Sequence, residues 1–443
     1  MLRISLLVAA LAAAFPAVAD TDLNALRAEI QALKTNYEAR IQALETRLEQ
    51  TANATPAVLP AAASVSPPQS ASNRFNPDIS LILQGGYARL GEVSEHRITG
   101  FMPSEHDNSP TRGFSLSGSE LVMSASIDPY FRGYLTLALQ DEKADVEEAW
   151  FQTSSLGNGF SLKGGRFRSG LGYQNEKHPH AWDFADNTLM YRALFGEAYG
   201  NDGLQLKWVA PTDLFMEFGA EAGRGAGFPG TNRNQNGAGS VALFGHLGGD
   251  IGISHSWRGG LSYLQTQARD REAPLEDINA VEANTLFSGK SKTWVADFVW
   301  KWAPEGNASE RNFKFATEYF RRGESGLLSC EGGLCGLSSD GNYKATQSGY
   351  YAQGVYQFMP RWRTGYRYDR LNPGSVDFGS NNVSLNAVNY SPIRHSLMLD
   401  YSPSEFSRLR LQYSKDQSMQ GLAENQWFVQ YVHSLGSHGA HTF

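Results

Sequence analysis

Four side chains in one stretch carry donor types that suit a borderline metal: Glu176, His178, His180 and Asp183. Imidazole nitrogen and carboxylate oxygen both bind zinc or copper, and in extended backbone His178 and His180 point to one side. The plain alternative is that Pro179 and Trp182 fix this loop while the histidines hydrogen-bond to nearby carboxylates or water. The two cysteines, Cys330 and Cys335, bracket a Gly-rich turn and fit a small disulfide loop in an exported chain. There is no Gly-rich phosphate loop, Cys–His pair or nucleophile elbow, so the chain is not read as an enzyme, and zinc aside it calls for no cofactor. A net charge of -7 without a basic block argues against a nucleic-acid partner.

The elements that must position these residues are read from patterning. Residues 1–19 carry Arg3, an apolar run and Ala17-Val18-Ala19, the mark of a signal peptide cut before Asp20. Over 20–50, Leu23, Leu26, Ile30, Leu33 and Tyr37 follow coiled-coil spacing, and Ile41, Leu44 and Leu48 continue it after a stutter. An amphipathic helix lying on the membrane is the alternative. Residues 51–77 form an Ala/Pro/Ser-rich linker. From 78 to 443 the chain is all-β: Leu135, Leu137 and Leu139 alternate with Thr136 and Ala138, Trp294 and Phe298 with Val295, Asp297 and Val299, and Leu409 and Leu411 with Arg408 and Arg410.

Connection lengths separate a membrane barrel from a soluble sandwich. Short links at 128–129, 155–159, 210–213, 248–250, 303–310, 359–360 and 402–405 interleave with mostly longer ones at 91–115, 141–143, 167–200, 224–239, 266–291, 322–343, 372–392 and 416–423. That asymmetry predicts a transmembrane antiparallel β-barrel of about sixteen strands, short turns periplasmic and long loops external. Parity then sends Glu120, Arg132, Arg258, Asp297, Arg361, Arg363, Arg367, Asp369, Arg408 and Arg410 into the lumen, with Arg361, Arg363 and Arg367 the densest basic file. A modest anion bias and a balanced, solvated wall are the two readings of that lining.

Ser119-Glu120-Leu121, Asp128-Pro129-Tyr130-Phe131, Val146-Glu147-Glu148-Ala149, Gly164-Gly165-Arg166-Phe167, His178 to Phe184 and Ala210 to Leu214 give the chain a resemblance to Gram-negative porins. More closely, it resembles outer-membrane proteins described as zinc-regulated, putative TonB-dependent receptors. The resemblance implies an outer-membrane address and a link to zinc supply. The receptor half of that description fits poorly, because TonB-dependent receptors carry a plug domain, whereas a signal, a coiled coil and a linker precede this barrel. A coiled coil before a barrel of this size is closer to trimeric porins, whose third external loop, here 167–200, folds inward.

The expected function is therefore passive diffusion of small hydrophilic solutes through an outer-membrane homo-trimer narrowed by that loop. The alternatives are uptake of zinc or a zinc chelate, and an envelope tether whose coil contacts peptidoglycan or periplasmic proteins. Deleting residues 23–48 is expected to weaken the oligomer without abolishing the barrel; a trimer of unchanged stability by light scattering would show that the coil does not assemble it.

Overall fold

Hydrocarbon offers a backbone amide no water, so a strand crosses it only where both of its edges are paired. The computed structural model describes residues 77–436 apart from 94–95, 103–110, 117, 141–142, 155, 274, 332 and 336–338. The signal segment, the coiled coil and the linker up to residue 76 lie outside the described residues, as do His438, His441 and Phe443.

Sixteen strands form the wall. They are β1 Asp78–Arg89, β2 Ser119–Ser126, β3 Phe131–Gln140, β4 Lys143–Thr153, β5 Phe160–Arg168, β6 Gly200–Val209, β7 Phe215–Gly223 and β8 Ser240–Ile251. The second half comprises β9 His255–Glu272, β10 Glu282–Trp302, β11 Asn312–Glu331, β12 Ser339–Met359, β13 Trp362–Asp377, β14 Ile393–Ser404, β15 Ser407–Gln417 and β16 Glu424–Gly436. Each pairs antiparallel with the next, and β16 closes on β1 from Ser80 opposite Gly436 to Arg89 opposite Trp427. Two short segments, Gly113–Ser115 and Leu275–Glu276, extend the sheet locally. Among the described residues no helix is long and apolar enough to cross a membrane.

Side-chain parity follows the expected assignment. On β15, Leu409 and Leu411 are 46% and 44% exposed while Arg410 and Gln412 are fully buried. On β10, Trp294 and Phe298 point outward and Val295, Asp297 and Val299 inward. An apolar exterior around a closed sheet is a lipid-facing surface.

Three expectations need correction. Much of the expected loops 266–291, 322–343 and 372–392 is strand, because β9 runs to Glu272, β10 starts at Glu282, β11 reaches Glu331 and β13 reaches Asp377. The expected turn at 248–250 lies within β8, and the chain reverses at 252–254. Alternation of apolar residues stops where lipid stops, but ladder hydrogen bonds need no lipid, so Asn284 still pairs with Glu331. Arg361, third, is not on a lumen-facing strand: it sits exposed in the turn before β13 with φ 72°.

The elongated strands β9 to β13 enclose a small core of their own, in which Phe287, Leu328, Tyr343, Phe378 and Leu385 pack beside Cys330. Cys330 and Cys335 form a disulfide there, with Cα atoms 5.6 Å apart. Replacing the lipid-facing Leu411 by Lys is expected to destabilise the barrel by about 2–4 kcal/mol if it lies near the midplane, read by denaturant titration in bilayers.

Candidate functional site

Between β5 and β6 the chain does not stay outside the barrel. Residues 169–199 are bonded to inward-facing side chains on strands spaced around the whole wall. Ser169 O–H and Gly170 N–H donate to Glu221 of β7 at 2.6 and 2.9 Å, and Tyr173 N–H donates to Glu318 of β11 at 2.8 Å. Arg408 and Arg410 of β15 donate to the carbonyls of His180 and Trp182 at 2.6 and 3.0 Å. Asp186 is held by Arg367 of β13 at 2.8 Å and Arg394 of β14 at 2.9 Å. Backbone buried without water needs such partners, and here the wall supplies them.

The loop ends in a short helix, α1 Leu189–Phe195. Its Leu189 N–H is capped not by Thr188 but by Asp369 on β13, at 3.0 Å, and Gly196 closes it in the left-handed region at φ 71°. Leu189, Met190, Tyr191, Leu194 and Phe195 pack on inward Leu264, Val295, Val299, Ala316, Phe320 and Leu371. Gly172 lets the chain pass Glu318: a Cβ there would meet Glu318 Oε1 at 2.3 Å. Tyr191 and Tyr351 hydroxyls donate to the same carboxylate at 3.0 and 2.8 Å.

The predicted metal set separates. Asp183 receives hydrogen bonds from Lys314 at 2.7 Å and Gln353 at 2.8 Å, an engagement away from the histidines, and Glu176 is exposed. The histidines do stay together, with ring centroids 5.9 Å apart, but through a 3-10 turn over Pro179–Ala181 rather than extended backbone, because Pro179 is fixed at a helix-compatible φ. His178 faces Glu147 from Nδ1 at 3.1 Å and Glu148 from Nε2 at 3.0 Å, while Glu120 lies 3.2 Å from His178 Nδ1 and 3.3 Å from His180 Nδ1. Wall carboxylates around the histidines are the plain alternative read from the sequence. Burial and Arg168 oppose protonation of His178, Glu120 and Glu148 favour it, and its pKa is raised to about 9.

Glu147, Glu148, Arg168, Asp186 and Arg394 were not singled out by parity. Consecutive strand residues normally face opposite sides, but Thr136 pairs with Glu148 and Leu137 with Val146, so Glu147 is the extra residue of a β-bulge. Of the predicted lining, Arg363 pairs with Asp400 at 2.5 Å, Arg410 with Asp400 at 2.8 Å and Arg367 with Asp369 at 2.9 Å. These arginines are neutralised by carboxylates and form no free basic file. Asp297 is buried 3.9 Å from His246. Arg132 and Arg258 line a cavity of about 1030 Å³ at the short-turn end, which His178 and Glu148 also border.

A closed sheet of sixteen strands, apolar outside and strapped inside by one long loop, defines a membrane-spanning β-barrel. No family model matches the chain. An uncharacterized protein of Aquifex aeolicus (strain VF5) is 31% identical over 397 residues, covering 83% of this chain and 80% of that protein, and the chain belongs to its family. Among solved structures, OmpT of Vibrio cholerae, an outer membrane protein in its trimer form, matches with a TM-score of 0.50 at 11% identity, over 81% of this chain and 99% of that one. Its loop L8 deletion mutant matches over the same shares with a TM-score of 0.50 at 12% identity. At such identity the likeness establishes the fold.

Burial pushes the Asp186 carboxyl up, but Arg394 and Arg367 pull it down further, to about 2 from 3.8. A carboxylate depressed in the folded state contributes stability above its unfolded value and loses it as pH falls through the folded one. Loop docking is therefore expected to weaken between about pH 4 and 2, seen as pepsin cleavage within 169–199 normalised at each pH to cleavage of an unfolded control peptide. Asp186→Asn should remove most of that pH step; cleavage equal at pH 2 and pH 5 in the parent chain would discard the assignment.

Proposed function

We propose that the protein is an outer-membrane channel for passive diffusion of small hydrophilic solutes, that it assembles as a homo-trimer, and that the 169–199 loop narrows its passage. The observation that carries this reading is the inward loop lying beside a cavity of about 1030 Å³, bordered by charged side chains of both signs, at the short-turn end of a closed barrel. Solutes there meet Arg132, Lys163, Lys207 and Arg258 but also Asp78, Glu148, Glu176, Asp213, Glu217 and Asp250. Carboxylates outnumber the fixed cations, so the lining supports a balanced or weakly cation-preferring wall over an anion bias. The trimer form of the similar Vibrio cholerae protein and the coiled-coil spacing in 20–50 support a trimer.

The protein reconstituted in planar bilayers is expected to give stable open channels, and removal of 178–195 from a barrel shown to be folded is expected to enlarge their conductance. Folded protein that never conducts would overturn the channel reading. Unchanged conductance in the deletion would overturn narrowing by the loop. Reversal potentials in a salt gradient are expected near zero or on the cation side.

A further inference from the structure

At β2 and β4 the loop brings two histidines against three wall carboxylates. The bulge at Glu147 turns two successive carboxylates toward His178. The Nδ1 of His178 then lies 3.1 Å from Glu147 Oε2 and 3.2 Å from Glu120 Oε2, so that a single N–H is divided between two acceptors. Glu120 is 1% exposed, and neither of its oxygens accepts a hydrogen bond of good geometry. Three carboxylates converge here, and Arg168 on the far oxygen of Glu147 is the guanidinium among them. With both imidazoles neutral, three carboxylates and Arg168 leave two negative charges in excess; protonation of His178 and His180 reduces that excess, and a divalent cation in place of the His178 Nδ1 proton would do the same.

The spacing suits such an ion. Bonds of 2.0–2.2 Å in a tetrahedral site put ligand atoms about 3.3–3.6 Å apart, and one atom each from Glu120, Glu147 and His178 lies within 4.8 Å of the others. The fourth carboxylate oxygen of importance belongs to Glu148, 3.0 Å from His178 Nε2, where it fixes the ring and leaves Nδ1 as the ligating nitrogen. His178 and Glu148 border the cavity, which gives an ion a way in.

We propose that Glu120, Glu147 and His178 bind one divalent metal ion of the zinc or cobalt class, with Glu148 orienting the histidine, so that the ion ties the loop to β2 and β4. The ion displaces the proton that Nδ1 otherwise shares between two carboxylates. This site stands independently of solute passage, because binding is read on the protein in detergent and conductance in bilayers.

The test is titration of the full-length protein with Co²⁺, followed by its visible absorption, and with Zn²⁺ by calorimetry. One equivalent per chain is expected, with a cobalt band of four- or five-coordinate intensity. Glu120→Gln, which keeps the side-chain shape, and His178→Ala should each weaken binding at least tenfold. Glu176→Gln and the pair His438→Ala with His441→Ala should leave the band in place. Absence of saturable binding, or wild-type affinity in Glu120→Gln, would overturn the site, as would loss of all binding in the His438/His441 pair.

Discussion

An amide in hydrocarbon must find its partner within the protein, and closure of β16 on β1 is how this chain meets that demand. Once the sheet is closed, every strand residue is assigned to lipid or to the interior, and no freedom remains except at bulges. The interior then faces its own demand. Buried guanidinium and carboxylate groups on β11, β13, β14 and β15 are stable only in pairs or against loop carbonyls. Arg367, Arg394, Asp369 and Asp186 answer that demand together, and the loop is positioned as part of the answer.

The loop combines two forms of attachment. Its first half, 169–187, is held by hydrogen bonds and ion pairs to the wall; its second half, α1, is held by apolar packing against Val295, Val299 and Phe320. A barrel interior of charged side chains alone could not seat a helix of sequence Leu-Met-Tyr-Arg-Ala-Leu-Phe. Only part of the inward surface is therefore wet.

Much of the wall was legible in the sequence because parity has a period of two and lipid selects one parity. Leu411 against Arg410 and Trp294 against Asp297 are placed as the alternation predicts. Strand ends were not legible, since above the membrane β10 and β11 keep their ladder without an apolar signal. Arg361 is not legible from alternation, which does not reveal where a turn begins. The site was half legible: donor types picked out His178 and His180, but Glu147 could be found only through an extra residue that breaks parity. Val295 and Val299 on an otherwise polar face signal that something apolar must cover them, and α1 does.

The bonds from the loop reach far along the chain. Ala185 is hydrogen-bonded to Gln412 and His180 to Arg408, at separations of 227 and 228 residues. Contacts of such range carry a closure cost, because the intervening chain must be brought to order for them to form. The loop therefore cannot settle until β13 to β15 stand in the wall, and its seating records that those strands have been added in register. In this barrel the segment that crosses the interior is tied to strands that the far end of the chain supplies, as a keystone is held by both sides of an arch.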